Sequence, residues 1–262
     1  MIDIAVVSAS HNDRILAANL ARSPMIASGA VPLHVERGAG SAAVALNRGL
    51  DATRAEIVVF AHHDCYLPPG WERVLQRRLA EVAAFDPDWA LYGPFGVARD
   101  GAHIGPVWSS SLGMIVGRVP LAPTEVQSYD ELMIILRRSS GLRFDQALPG
   151  WHLYGTDIVA SANAAGLRAY AGALPTLHND AYHEALQSDF AECYHALRRK
   201  WRGRLPLRSP IIKISTSGLH LWKNRWADFT SREFRANMAI GTAEDPARLA
   251  GLCGWADLIA SA

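Results

Sequence analysis

The chain has 262 residues, half of them apolar, with 26 basic and 25 acidic side chains, so it can bury a full core, and its bulk charge gives no case for the wrapping of nucleic acid. No apolar run reaches the roughly 18 residues of a membrane span, and MIDIAVVSAS has no basic head of a signal peptide, so a cytoplasmic protein without a transmembrane segment is expected. Cys65, Cys193 and Cys253 are widely spaced and form no CxxC pair, which argues against a disulfide framework or a thiolate zinc site.

Ile2 to Ser8 is a short β-branched run, and Asn12 to Arg22 carries apolar residues at helical spacing, so a strand and then a helix are expected. A second strand over Val31 to Glu36 ends at Gly38 and Gly40, after which Ser41 can cap a helix reaching about Thr53. Glu56 to Ala61 is a third strand, apolar throughout except at its first residue, as a sheet covered on both faces requires. It stops at His62, His63 and Asp64, and Pro68, Pro69 and Gly70 turn the chain into a helix over Trp71 to Phe85. The polar triplet thus sits at a strand's C-terminal end, where open α/β sheets bind ligands.

Trp89 to Val97 and Ala102 to Val119 are broken by Gly and Pro and read as short strands in an irregular region. Glu131 to Arg138 is a further apolar strand, Gly155 to Gly166 a helix closed by glycine, and Ala169 to Ala173 a strand. Ala181 to about Arg202 is expected to be helical. The remainder is a basic, tryptophan-bearing tail without clear periodicity, and 181–262 are read as a C-terminal extension packed on a single domain.

Three stretches in fixed order, SAAVALNRGLDATRAEIVVFAHHDCYLPPGW, YDELMIILRR and LRFDQALPGWHLYGTDIVASANAAGLRAYAGALPTLHND, span roughly the middle half of the chain. With the order of elements around them, they resemble family-two glycosyltransferases of the GT-A fold, and in particular the bacterial branch typified by the streptomycin-biosynthesis glycosyltransferase-like domain. The resemblance implies an α/β fold with a mostly parallel central sheet and helices on both faces. It also implies transfer of a sugar from a nucleotide diphosphate donor to an acceptor hydroxyl, by an inverting, metal-dependent route.

In that family an acidic DxD motif holds the divalent metal on the donor diphosphate. His62, His63 and Asp64 occupy the matching place, with only the last acid kept. Asp64 would supply the anionic oxygen that a hard cation needs, and histidine nearby would favour Mn2+ over Mg2+. His178, in TLHND, matches the late histidine that completes the metal site, while His62 and His63 are candidates for the metal or diphosphate shell. Ser8 and Ser10 match the region that holds base and ribose, Asn47 an asparagine of the following helix, and Glu36 is the one acid near the base-reading position. Asp130, with Glu131 beside it, would lie near the donor sugar. Asp157 matches the catalytic base. Trp151, His152 and Tyr154 form an aromatic cluster suited to an acceptor, whether saccharide, lipid-linked sugar or small molecule.

Structural readings stand beside these. His62 and His63 can simply end a strand, Asp157 can be a first-turn acid favoured by the helix dipole, and Trp151 and Tyr154 can be core. The cations Arg198, Arg199, Lys200, Arg202, Arg204, Arg208, Lys213, Lys223 and Arg225 follow one another with no acid between them. They read mostly as a solvated face, with one or two as phosphate contacts. Gly38, Gly40 and Ala43 spell G-x-G-x-x-A, which leaves an NAD(P)-dependent oxidoreductase as a rival. A metal-dependent hydrolase built on His62, His63 and Asp64, and a nonenzymatic nucleotide-sugar-binding protein, are the others.

Overall fold

The computed structural model describes residues 3–180, 188–224, 226, 244–256 and 258. In chain order its first elements are β1 (Ile4–Ala9), α1 (Asp13–Ala18), α2 (Pro24–Ala27), β2 (Leu33–Glu36), α3 (Ala42–Ala52), β3 (Ile57–Ala61), β4 (Cys65–Tyr66) and α4 (Trp71–Phe85). Next come β5 (Trp89–Gly93), β6 (Gly96–Ala98), β7 (His103–Ile104), β8 (Val107–Ser109), β9 (Met114–Val116), β10 (Thr124–Tyr129) and β11 (Met133–Arg137). The last are α5 (Tyr154–Ala164), β12 (Arg168–Ala171), β13 (Thr176–His178), α6 (Ser188–Lys200), β14 (Leu207–Arg208), β15 (Lys213–Ile214) and α7 (Pro246–Leu252).

A nine-stranded sheet in the order β2-β1-β3-β11-β5-β12-β10-β6-β7 forms the centre. Strands β2, β1 and β3 are parallel neighbours, as are β5 and β12, and β6 shares their direction, whereas β11, β10 and β7 run the other way. The fold class is therefore the expected one in its layers, an α/β sheet with most strands in one sense and helices on both faces.

The strands are apolar on consecutive residues because both faces are covered. Val6, Ile57, Val59, Met133 and Ile135 face a core shared with Leu16 of α1 and Val74, Leu75, Leu79 and Val82 of α4. Their alternates Val7, Val58, Phe60, Ile134 and Leu136 face a second core with Leu46 and Leu50 of α3, Ile158 and Val159 of α5, and Leu197 of α6. Period-two alternation thus assigns each residue to one of two cores.

The predicted first helix divides: α1 ends at Ala18 and a 3-10 turn, Leu20–Arg22, follows. The Asn19 backbone is neither helical nor extended there, and its side-chain amide donates to the Ile15 carbonyl. The described part of the predicted 181–202 helix is α6, and 181–187 lie outside the described residues. The tail that shows no clear periodicity in sequence holds short regular elements where the chain is described. The two-stranded β14–β15 sheet packs beside α6, and Leu249, Ala250, Trp255 and Leu258 of the α7 region join the first core. Among the described residues no helix is long and apolar enough to cross a membrane.

Gly49 lets α3 lie close on β1, since an added Cβ would stand 2.2 Å from Cγ1 of the fully buried Val7. Gly49→Ala is expected to cost about 1–3 kcal/mol through overpacking, read as a lower urea midpoint. The double variant with Val7→Ala should lose less than the two single losses combined. An unchanged midpoint in Gly49→Ala would mean that the helix can stand off the sheet freely.

Candidate active site at the strand ends

Strand β3 ends at Ala61, so the next two side chains are free of the pleat and diverge. His63 turns to the end of β1, where its Nδ1 meets Ser10 Oγ at 2.8 Å and its ring lies 5.1 Å from that of His11. His62 turns the opposite way, its Nε2 3.0 Å from the Tyr154 hydroxyl, which itself donates to the Glu131 carbonyl. Because β11 is antiparallel to β3, with Met133 opposite Ala61, the Asp130–Glu131 pair comes to the same edge.

His178 arrives from a second, four-stranded sheet, β4-β13-β8-β9. Its antiparallel register on β4 sets His178 opposite Cys65, and Asn179 N–H donates to the Asp64 carbonyl. Residues far apart in sequence therefore present His62, Asp64 and His178 together, with one ligand atom from each lying within 4.8 Å of the others. The His62 and His178 rings are 5.7 Å apart.

The electrostatics of the cluster follow from burial. Desolvation lowers the His62 pKa to about 4, the nearby Asp64 charge only partly opposing it. Desolvation acts against the His178 cation as well, but the Asp64 carboxylate, with Nε2 to Oδ1 at 3.4 Å, outweighs it and raises the pKa to about 9. Burial would raise the Asp64 pKa, yet His178 and then His62 hold it well below the usual carboxylate range. Asp64 Oδ1 is buried without a hydrogen-bond partner of good geometry. One carboxylate and two imidazoles, with a buried oxygen left over, are a donor set that fits a divalent cation of the manganese or zinc type.

Asp180 was not singled out by sequence reading. Its carboxylate accepts from the Ser109, Ser110 and Ser111 hydroxyls and from Ser111 N–H, and Oδ2 stands 3.9 Å from His178 Nδ1. It backs the histidine from behind the cluster, as carboxylates behind metal-binding histidines do. The only signals available were the acid two residues after His178 and the serine run, neither specific alone.

Glu131 is half-buried with its Oε1 out of solvent, and desolvation followed by the Asp130 charge raises its pKa well above the usual carboxylate range. It faces the start of α5, which Leu153 enters in the left-handed region at φ 64 while fully buried. For a branched side chain that backbone is held only by its surroundings.

The other expected site residues lie elsewhere. Ser8 is fully buried beneath Ser10. Asn47 is taken by the Phe144 backbone, donating to its carbonyl at 2.8 Å and accepting from its N–H at 3.1 Å. Glu36 pairs with His34 at 2.6 Å, although its carbonyl accepts from Ser10 N–H and so adjoins the edge. Trp151 is 41% exposed, its N–H donating to Asp189 Oδ2, and His152 lies 3.5 Å from Asp189 Oδ1. Of the aromatic trio, Tyr154 meets the cluster through His62.

Asp157 is engaged by the C-terminal end of α6. It is buried, Oδ2 accepting from Lys200 Nζ at 2.8 Å and Oδ1 from Trp201 Nε1 at 2.7 Å, so both oxygens are committed to the end of α6. Lys200 also pairs with Asp145 at 2.8 Å. The glycine turn of the oxidoreductase rival is likewise occupied, because Ala42 N–H donates to the Gly150 carbonyl and Val44 N–H to Ser41 Oγ. A pyrophosphate would find those donors at the start of α3 already used.

No protein-family model matches the chain. A curated protein of Fuscovulum blasticum described as "ATP synthase subunits region ORF 6" is 26% identical over 160 residues, covering 58% of this chain and 60% of its own length. Among solved structures, a mannosyltransferase from Pyrobaculum calidifontis in complex with GDP-Man and Mn2+ is similar at TM-score 0.45 and 12% identity, over 97% of this chain and 80% of that one. An inositol-1-phosphate CTP transferase from T. maritima is similar at TM-score 0.40 and 12% identity, over 75% of this chain and 96% of that one.

The Asp157 and Lys200 pair yields a signed pH dependence. Burial raises the Asp157 pKa against the opposing pull of Lys200 and Trp201, and Lys200, although desolvated, is raised by Asp145 and Asp157. The lysine's contribution is present below its unfolded pKa and is lost as pH rises through the folded one. In Lys200→Met the carboxylate loses its cation, so a deficit of about 1–3 kcal/mol is expected at neutral pH. A raised carboxyl favours the folded state as it protonates, so the deficit should narrow as pH falls through the folded Asp157 pKa. Urea titrations of parent and variant across that range check this, and a deficit independent of pH would contradict it.

Proposed function

We propose that the chain is a nucleotide-sugar-dependent glycosyltransferase that works with a divalent cation, manganese before magnesium, and inverts the anomeric centre. The observation that supports it is the convergence of His62, Asp64 and His178 at the strand edge where β1 and β3 end, in an α/β fold. Asp64 and His178 would hold the cation, with His62 completing the set. Ser10 and His63, joined across β1 and β3, would face the nucleotide and its diphosphate. When bound, the cation supplies Lewis-acid neutralisation of the departing diphosphate.

For the acceptor proton the geometry favours Asp130 over Asp157. Asp130 lies close enough to contribute to the electrostatics of both His62 and His178, and it is half-buried at the edge, with Oδ1 accepting from Leu132 N–H. Asp157 has neither oxygen to spare. Tyr154 would fix the His62 ring through its hydroxyl, and Trp151, exposed beyond the start of α5, would offer a face to the acceptor.

Thermal shift with a panel of nucleoside diphosphate sugars should show stabilisation that needs manganese and disappears in Asp64→Ala. Equal stabilisation of that variant would remove the metal assignment, and stabilisation by nicotinamide nucleotides alone would replace the transferase by the oxidoreductase. With the donor identified, Asp130→Asn should lose about a hundredfold or more in kcat with a smaller change in donor KM. Asp157→Asn should lose stability and keep kcat per folded molecule. The reverse pattern would return the base to Asp157, and binding without turnover by the parent would leave a nucleotide-sugar-binding protein.

A further inference from the structure

At the far end of α6 a cavity of about 420 Å3 is lined by His195, Arg198, Arg199, Arg202, Leu205 and Thr216. It shares no residue with the His62, Asp64 and His178 cluster. Arg198 and Arg199 stand three and four residues after His195, and Arg202 three and four residues after Arg199 and Arg198, which brings the four side chains to one side of the helix end. Leu205 supplies a half-buried apolar wall that packs on the second core, and Thr216 a hydroxyl from the segment after β15.

Among the described residues the charge in this cavity has no acidic counterpart. No Asp or Glu occurs from Tyr194 to Ala227, and no ion pair of Arg198, Arg199 or Arg202 is found among the described residues, whereas the adjacent Lys200 is held by Asp145 and Asp157. A helix C-terminus favours cations by only about 0.3–1 kcal/mol each and does not require them to line a concavity. Like charges three and four residues apart oppose one another unless something neutralises them. The backbone also makes room for one of them: Gly218 has φ 69, and a Cβ there would stand 3.1 Å from Arg198 Nη1.

We propose that this cavity is a second ligand site, separate from the strand-edge site, that binds a phosphate or diphosphate group. Guanidinium forks match the paired oxygens of phosphate and stay charged at any pH of interest. The Thr216 hydroxyl and the His195 ring can donate to the remaining oxygens, and Leu205 can meet the apolar part of an esterified ligand. The phosphate is carried either by a soluble phosphorylated compound or by a lipid headgroup.

Calorimetric titration with inorganic pyrophosphate in EDTA keeps any metal-dependent donor site silent. The parent should bind, and Arg198→Gln and the more exposed Arg202→Gln should each weaken binding about tenfold or more, while Asp64→Ala binds like the parent. Circular dichroism melts confirm that each variant is folded, and Arg202→Gln keeps the test valid should Arg198→Gln fail to fold. Co-sedimentation with phosphatidylcholine vesicles containing phosphatidic acid separates the sources. Vesicle binding that pyrophosphate competes away assigns a lipid headgroup, and pyrophosphate binding without vesicle binding assigns a soluble ligand. Absence of both, or binding that the arginine variants leave unchanged, overturns the site.

Discussion

The Asp64 carboxylate is buried against the His178 imidazole, and much of the surrounding structure exists to hold that pair. A charge out of water is tolerated only when partnered, and the partner comes from a different sheet more than a hundred residues later. The short register of β13 on β4 sets the distance, and Asp180 with its three serines fixes the histidine from behind. The neutral His62 completes the arrangement, because burial strips its proton while the more strongly paired His178 keeps one. The result is a concentration of donor atoms in a small volume, obtained without a contiguous acidic motif.

The central strands were legible in the sequence because their signal is local. EIVVFA and ELMIILRR are apolar on successive residues, and burial on both faces leaves no other pattern. The end of β3 was legible for the same reason, since a polar residue after such a run marks where the sheet stops, whereas β13 was not expected as a strand and His178 stood out only through the resemblance. What escaped depends on contacts between distant segments. Nothing near Asn19 announces that the first helix stops there, and nothing near Asp180 announces Ser109, Ser110 and Ser111. Asn47 is a polar residue on a helix facing the core, and only the position of Phe144 shows that its amide is structural.

Asp157 illustrates how one residue type serves two needs. An acid in the first turn of a helix suits the dipole, and a resemblance assigns the same position to catalysis. The structure gives the carboxylate a cation and an indole N–H from the end of α6, so it ties α5 to the basic C-terminal region. That tie has a consequence for α6. With Lys200 drawn inward to Asp145 and Asp157, the neighbouring Arg198, Arg199 and Arg202 are left facing the cavity on the other side.

The two sites are thus joined by rigid elements. Helix α5 begins at Tyr154, whose hydroxyl meets His62, and within its first turn reaches Asp157, which holds Lys200. Helix α6 begins beside Trp151 through Asp189 and ends at Lys200, next to the arginine-lined cavity. The cluster at the strand ends and the cavity at the helix end therefore share the α5–α6 pair as a common frame. A displacement of α6 that disturbed the Lys200 contact would be felt at the start of α5, where Leu153 already holds an unfavourable backbone and has little freedom to absorb it. Such a frame needs no moving part between the two, because the pair of the buried Asp157 with the partly exposed Lys200 ties α5 to α6.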